Sequence, residues 1–297
     1  MRKGLFGRGV IYYAPTLIVF LFLFACTQKV CDVGDIDINN KDMSLRKRVS
    51  EVYYPNSGKD YAALAQLIKG HLSEEALKSL GYKVDNAILE AEAKRIDENT
   101  KAPEILKKIK DIYGSNRDAY IKTFVRIVYA ERALYNEVFL KSKEIHKNEY
   151  QNAENIIKEA IASKKPLREI VKEKGLRVVK LKVSQKGGIA PFGEEARHKP
   201  NTGIGLEQAE RLIDAVSTIK EGEVYPEIIE WLEGYQIIKF IKKEKDVYII
   251  DSVSIPKRSY DDWFWERAVK IPVRIYDNKL RDELLNEVSW AKRLNYQ

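Results

Sequence analysis

The chain has 297 residues, 44% of them hydrophobic and 10% aromatic, with two cysteines and a formal net charge of +8. This is ordinary globular composition, with room for one large or two small domains, and two cysteines are too few for a disulfide framework. Stability must therefore come from an apolar core.

The first residues, "MRKGLFGRGVIYYAPTLIVFLFLFAC", place Arg2, Lys3 and Arg8 ahead of an uncharged apolar run from Val10 to Ala25. The run contains Pro15, is shorter than the roughly 20 residues that span a bilayer, and ends at a small residue followed by cysteine. It reads as a secretory signal over residues 1–26. Leu23-Phe24-Ala25-Cys26 resembles a bacterial lipoprotein processing box, which implies that Cys26 becomes an acylated N-terminus. Two or more acyl chains anchor a protein stably, each buried methylene contributing about 0.8 kcal/mol. The expectation is a membrane-anchored protein facing the periplasm. Thr27 points to the outer membrane if the cell has two. The leader holds three positive charges and no acid, so the remainder carries +5. In an exported protein that excess indicates a solvated surface, or attraction to anionic lipid, rather than a nucleic-acid partner.

After a polar lead up to Asp60 the chain becomes helical. Asp60 is read as the N-cap of a helix carrying Leu64, Leu67 and Ile68, and Ser73 as the start of a second helix ending at Gly81. A third helix follows Asp85, and a fourth begins at Pro103 and stops at Gly114. Asn116 to Leu140 forms a long amphipathic helix with Tyr120, Phe124, Ile127, Val128, Leu134 and Val138 in its stripe. Two shorter helices split near Pro166 come next, then a strand in "LRVVKLKVS", a glycine turn in "QKGGIAPFG", a helix in "LEQAERLIDAVSTIKEG", and a hairpin in "EGEVYPEIIEWLEGYQIIKFIKK". The tail from 243 opens with strand-like "DVYIIDSVSI" and closes with a helix in "DNKLRDELLNEVSWAKRL"; it is too short to fold alone and is expected to pack on the N-terminal helices. The fold class is α+β. A helical domain over 27–142 is completed by 243–297, with an α+β domain inserted at 143–242.

"KGGIAPFG", the helix after it and "IKEGEVYPEIIEWLEGYQIIKF" together resemble the second half of a parvulin-type peptidyl-prolyl isomerase. Export and domain order are similar to the SurA and PrsA group of envelope foldases. "DENTKAPEILKKIKDIYGSNRDAYIKTFVRIVYAERALYNEVF" resembles their N-terminal chaperone region. The resemblance implies rotation about X-Pro bonds in an apolar cup, which Phe192, Leu212, Ile219 and Tyr235 would line. It also implies two histidine positions, and here the chain departs. The last-strand histidine falls on Gln236, the first-strand one on Glu144 of Glu144-Ile145-His146, a Phe position on Leu212 and a Met position near Gln208. His146 itself is read as a surface residue.

No Gly-Lys-Ser/Thr loop marks a nucleotide site, and His71, His146 and His198 lack neighbours at metal-ligand spacing, so no cofactor, metal or nucleotide is expected. Trp263, Phe264 and Trp265 in "RSYDDWFWERA" are candidate client-binding anchors, the alternative being that they pack the tail against the helical domain. The expected partners are unfolded or partly folded exported proteins and, through the acyl chains, a membrane. The expected function is a lipid-anchored chaperone or foldase with reduced isomerase activity. The alternative is a non-catalytic assembly lipoprotein that binds one dedicated partner.

Overall fold

The computed structural model describes residues 28–55, 57–99, 101–163, 165–192 and 206–297. The signal segment, Cys26, Thr27 and His198 lie outside them. The fold is α+β, in two compact units: one built from the described residues up to Phe139 together with Tyr260–Gln297, the other from Leu140–Ser259.

The first unit opens on strands where the sequence reading has only a polar lead. β1 (Lys29–Val33) and β2 (Ile36–Asn39) form a hairpin in which Val30, Cys31, Val33 and Ile38 are buried. The Cys31 thiol is fully enclosed, and burial pushes its pKa up. Asn39 then starts α1 (Asn40–Tyr53) with a reciprocal cap: its side chain accepts from the Asp42 N–H at 3.0 Å, and its own N–H donates to Asp42 Oδ2 at 3.1 Å.

α2 (Asp60–Ser79) is one continuous helix, not two. Ser73 lies inside it, and its hydroxyl donates to the Lys69 carbonyl, which leaves the helix intact. Leu64, Leu67, Ile68, Leu72 and Leu77 are fully buried along it. α3 (Asn86–Asn99) is capped by Asp85, and α4 (Pro103–Tyr113) begins on proline.

The long helix α5 runs through Arg117–Tyr120, a π-helical Ile121–Val125, Arg126–Arg132 and a second π-helical Ala133–Phe139. At Gly70, α2 lies so close to α5 that a Cβ would stand 2.6 Å from the Ile127 side chain, so only glycine fits.

The C-terminal segment completes this unit with α9 (Tyr260–Ala268), β8 (Pro272–Ile275), α10 (Asn278–Glu287), a 3-10 turn (Ser289–Arg293) and β9 (Asn295–Tyr296). The sheet order is β2-β1-β8-β9, so a strand from the end of the chain pairs with the first strand described. Trp263, Phe264 and Trp265 belong to this core and have at most 6% of their surface exposed. Phe139 packs on Trp263 with ring centroids 5.3 Å apart, and Trp265 stacks on Trp290. The anchor reading of these three residues is therefore replaced by the packing alternative: they have no free surface to offer a client.

The second unit carries α6 (Lys147–Ser163), α7 (Leu167–Lys172), β3 (Val178–Ser184), β4 (Gly188–Pro191), α8 (Leu206–Ser217), β5 (Ile229–Glu230), β6 (Gly234–Glu244) and β7 (Val247–Pro256). Its antiparallel sheet has the order β4-β3-β7-β6-β5. α6 and α7 cover one face, through Ile156, Ile157, Ile170 and Val171 against Tyr235, Ile237 and Val253. α8 covers the other, through Leu212 and Val216 against Val183, Ile238 and Ile250.

Two expectations change here. β7, assigned from sequence to the tail, is the central strand of the inserted unit, which therefore ends at 259 and not at 242. Residues 143–146 form no strand; they are turn residues leading into α6.

Candidate functional site

The hairpin β5–β6 carries the residues that sequence analysis singles out, and its shape depends on Gly234. A Cβ at that position would lie 2.6 Å from the carbonyl oxygen of Ile255 on β7, so the two strands meet there only if residue 234 has no side chain. The turn between β5 and β6 is closed by the Trp231 N–H donating to the Gly234 carbonyl at 2.8 Å.

From Gly234 onward successive side chains alternate between faces. Tyr235 points to the α6–α7 side, where it is buried, with Tyr150 edge-on at 5.5 Å and the Lys257 ammonium 5.5 Å from its ring centroid. Burial, with Glu230 and Glu149 nearby, pushes its hydroxyl up to about 12. Lys257 is itself almost enclosed, its side chain 5% exposed, and its ammonium donates to Glu230 Oε1 at 2.8 Å and to the Leu140 carbonyl at 3.4 Å. This lysine ties both ends of the inserted unit to its hairpin.

Gln236 points to the α8 side, where a polar chain crosses an otherwise apolar face. The indole N–H of Trp231 donates to Gln236 Oε1 at 2.5 Å, and Gln236 Nε2 donates to the hydroxyl of Ser252 on β7 at 2.6 Å. Ser252 is buried, Trp231 is half-buried, and the guanidinium of Arg211 lies 5.0 Å from the Trp231 ring centroid. Leu212, the next residue on α8, is fully buried in the apolar layer beneath.

Ile219 is half-buried against the same apolar layer as Leu212, whereas Glu144 and Phe192 lie apart from this pair. Glu144 is exposed, in a turn, 3.6 Å from Lys147. Phe192 follows β4 with its ring 4.3 Å from the Lys182 ammonium, and Lys182 shares the sheet face of Val178, opposite Leu212. His146, read as surface, is buried with 1% exposed, because the turn before α6 folds it inward. The structure thus brings Gln236 and Leu212 to one face of the sheet and places Tyr235 on the other. Glu144 lies on neither face, and Phe192 sits beside Lys182 on the face of Tyr235.

Trp231, Ser252 and Arg211 were missed from sequence. Trp231 was open to detection, since it stands just beyond Glu230, which pairs with Tyr235. Ser252 becomes visible only once β7 is placed beside β6, where it pairs with Ile238.

Gln236 has a neutral amide that neither gains nor loses a proton near neutral pH. It can donate or accept a hydrogen bond but cannot act as an acid or base. No family model matches the chain, and a search of curated proteins found no match either.

Proposed function

We propose that this protein is a lipid-anchored envelope chaperone that binds unfolded exported polypeptides, and that its inserted unit is a parvulin-like domain with little isomerase activity. The observation that carries this reading is the layout. An α+β unit that contains the hairpin "GEVYPEIIEWLEGYQIIKF" interrupts a helical unit that the end of the chain completes, the order found in envelope foldases of the SurA and PrsA kind. The glycine of the Gly-Tyr-x-Ile-Ile-Lys step has a physical reason to be there, the close approach of Gly234 to Ile255. The anchor in this reading is Cys26, and Cys26→Ser should abolish acyl labelling and leave an unprocessed precursor.

Rotation about an X-Pro bond faces a barrier of about 20 kcal/mol and needs no nucleophile, only groups that hold the twisted amide better than the planar one. Gln236 stands at a histidine position, and its amide is already engaged by Trp231 and Ser252. Leu212 is enclosed and Glu144 faces solvent. A protease-coupled prolyl isomerisation assay on the chain from Thr27 onward should give a rate far below that of active parvulins, and Gln236→His should raise it only modestly. A rate typical of active parvulins would overturn the proposal of weak catalysis.

The same engaged glutamine favours a second reading, a non-catalytic assembly lipoprotein with one dedicated partner. Slowed aggregation of several unrelated unfolded proteins supports the first reading; a single co-purifying partner with no such effect supports the second.

A further inference from the structure

Segment 221–233, "EGEVYPEIIEWLE", contains five glutamates and no basic residue. It forms the edge of the inserted sheet: Val224 bridges Lys239, Ile229 and Glu230 pair with β6, and β5 is the last strand in the order. Its outer side pairs with no described strand. Apolar side chains are left at this edge as well. Leu232 is 64% exposed, Trp231 and Tyr225 are half-buried on the α8 side, and Ile228 is half-buried on the other.

The glutamates around them are mostly unneutralised. Glu230 pairs with Lys257, but Glu221, Glu223, Glu227 and Glu233 form no ion pair with a described residue. Glu221 and Glu223 accept backbone N–H groups of Lys243 and Lys220, and Glu227 accepts the Tyr225 hydroxyl at 3.4 Å.

We propose that this edge is a docking strip for an extended polypeptide segment in which Lys or Arg alternates with apolar residues. Three observations select that occupant. The open sheet edge accepts a strand, the exposed Leu232 and half-buried Trp231 and Tyr225 supply apolar contact, and the uncompensated carboxylates repel acidic chains and attract basic ones. An added strand presents side chains alternately to the two faces, which matches apolar groups on both sides of the edge. The inference rests on the reading that the protein binds unfolded chains and adds which segments it prefers.

The test is fluorescence anisotropy of the full chain with two unstructured dye-labelled peptides of equal apolar content, one alternating Lys with Leu or Phe, the other Glu with the same residues. The lysine peptide should bind at least tenfold tighter at low salt, with the gap narrowing as salt screens the carboxylates. The exposed double variant Glu227→Lys/Glu233→Lys should erase the preference, and Leu232→Asp should weaken binding of the lysine peptide. Equal binding of both peptides, or a preference untouched by the double variant, would overturn the inference. So would saturable self-association abolished by Leu232→Asp without any peptide preference, which would make the strip an interface between copies. If the peptides bind equally but an unfolded test protein still aggregates more slowly, only the docking strip falls. If neither peptide binds and aggregation is unaffected, the chaperone reading falls with it.

Discussion

Gly234 and Glu74 show how much single positions hold in place. An alanine at 234 would push its Cβ against the Ile255 carbonyl, a backbone atom in the central strand that cannot step aside as a side-chain end could. Gly234→Ala should therefore cost about 2 kcal/mol, in the range of an overpacked core, read as a lower denaturation midpoint with an unchanged slope. Glu74 on α2 is fully buried, with Arg126 at 2.7 Å, Lys78 at 3.0 Å and His71 at 3.5 Å. Burial alone would raise its pKa, yet the neighbouring His71 imidazole and the charges of Arg126 and Lys78 bring it from 4.5 down to about 2. Because the folded value lies below the unfolded one, this carboxylate stabilises the fold fully above pH 4.5, and its contribution is lost as pH falls toward 2. At about 1.4 kcal/mol per pH unit the loss is about 3 kcal/mol. Melting followed by circular dichroism should show a steep decline across that window, and Glu74→Gln should start lower at neutral pH and flatten the decline.

At the level of elements, what was legible in the sequence and what was not divides by range. Helices α3, α4 and α5 announce themselves through Asp85, Pro103 and Asn116 at their starts and apolar stripes at three- and four-residue steps. The β1–β2 hairpin was missed because "KVCDVGDIDIN" is short and half polar, and its apolar residues find cover only when β8 arrives from the far end of the chain. The π-helical stretches of α5 leave the apolar spacing too little altered to be read. β7 reads as a strand in the sequence, but nothing local separates it from the tail and joins it to the inserted unit. The loop joining it to β6 is only Lys245-Asp246, with Lys245 at φ 54°, and it lacks the Asn-Gly or Asp-Gly that marks such a turn. Of the candidate site, Gln236 is reachable by counting through the hairpin and Leu212 by counting back from Gly222, whereas Ser252, the partner of Gln236, depends on the strand order. Since β7 lies between β3 and β6, a fragment of residues 143–242 lacks its central strand and should stay unfolded. Residues 140–259 should melt cooperatively on their own. Cooperative melting of the shorter fragment would contradict this topology.

For the whole molecule, we propose that an apolar and acidic binding surface, not an acid–base centre, carries the function. The aromatic residues of α9 are spent on the core of the helical unit, where Trp263 and Phe264 have at most 1% of their surface exposed, so they cannot also serve as anchors for clients. If the inserted unit is parvulin-like, as we propose, it has kept the hairpin glycine Gly234 while Gln236, held by Trp231 and Ser252, stands at a histidine position. Binding needs no ionisable catalytic group and should survive that substitution. The most direct measurement is light scattering from an unfolded, aggregation-prone test protein diluted into buffer with an equimolar amount of the chain from Thr27 onward. Aggregation should be clearly slowed, an effect kept by Gln236→Ala and weakened by Glu227→Lys/Glu233→Lys when the test protein is basic. Aggregation that proceeds unchanged even at several-fold molar excess of the chain would contradict the proposal.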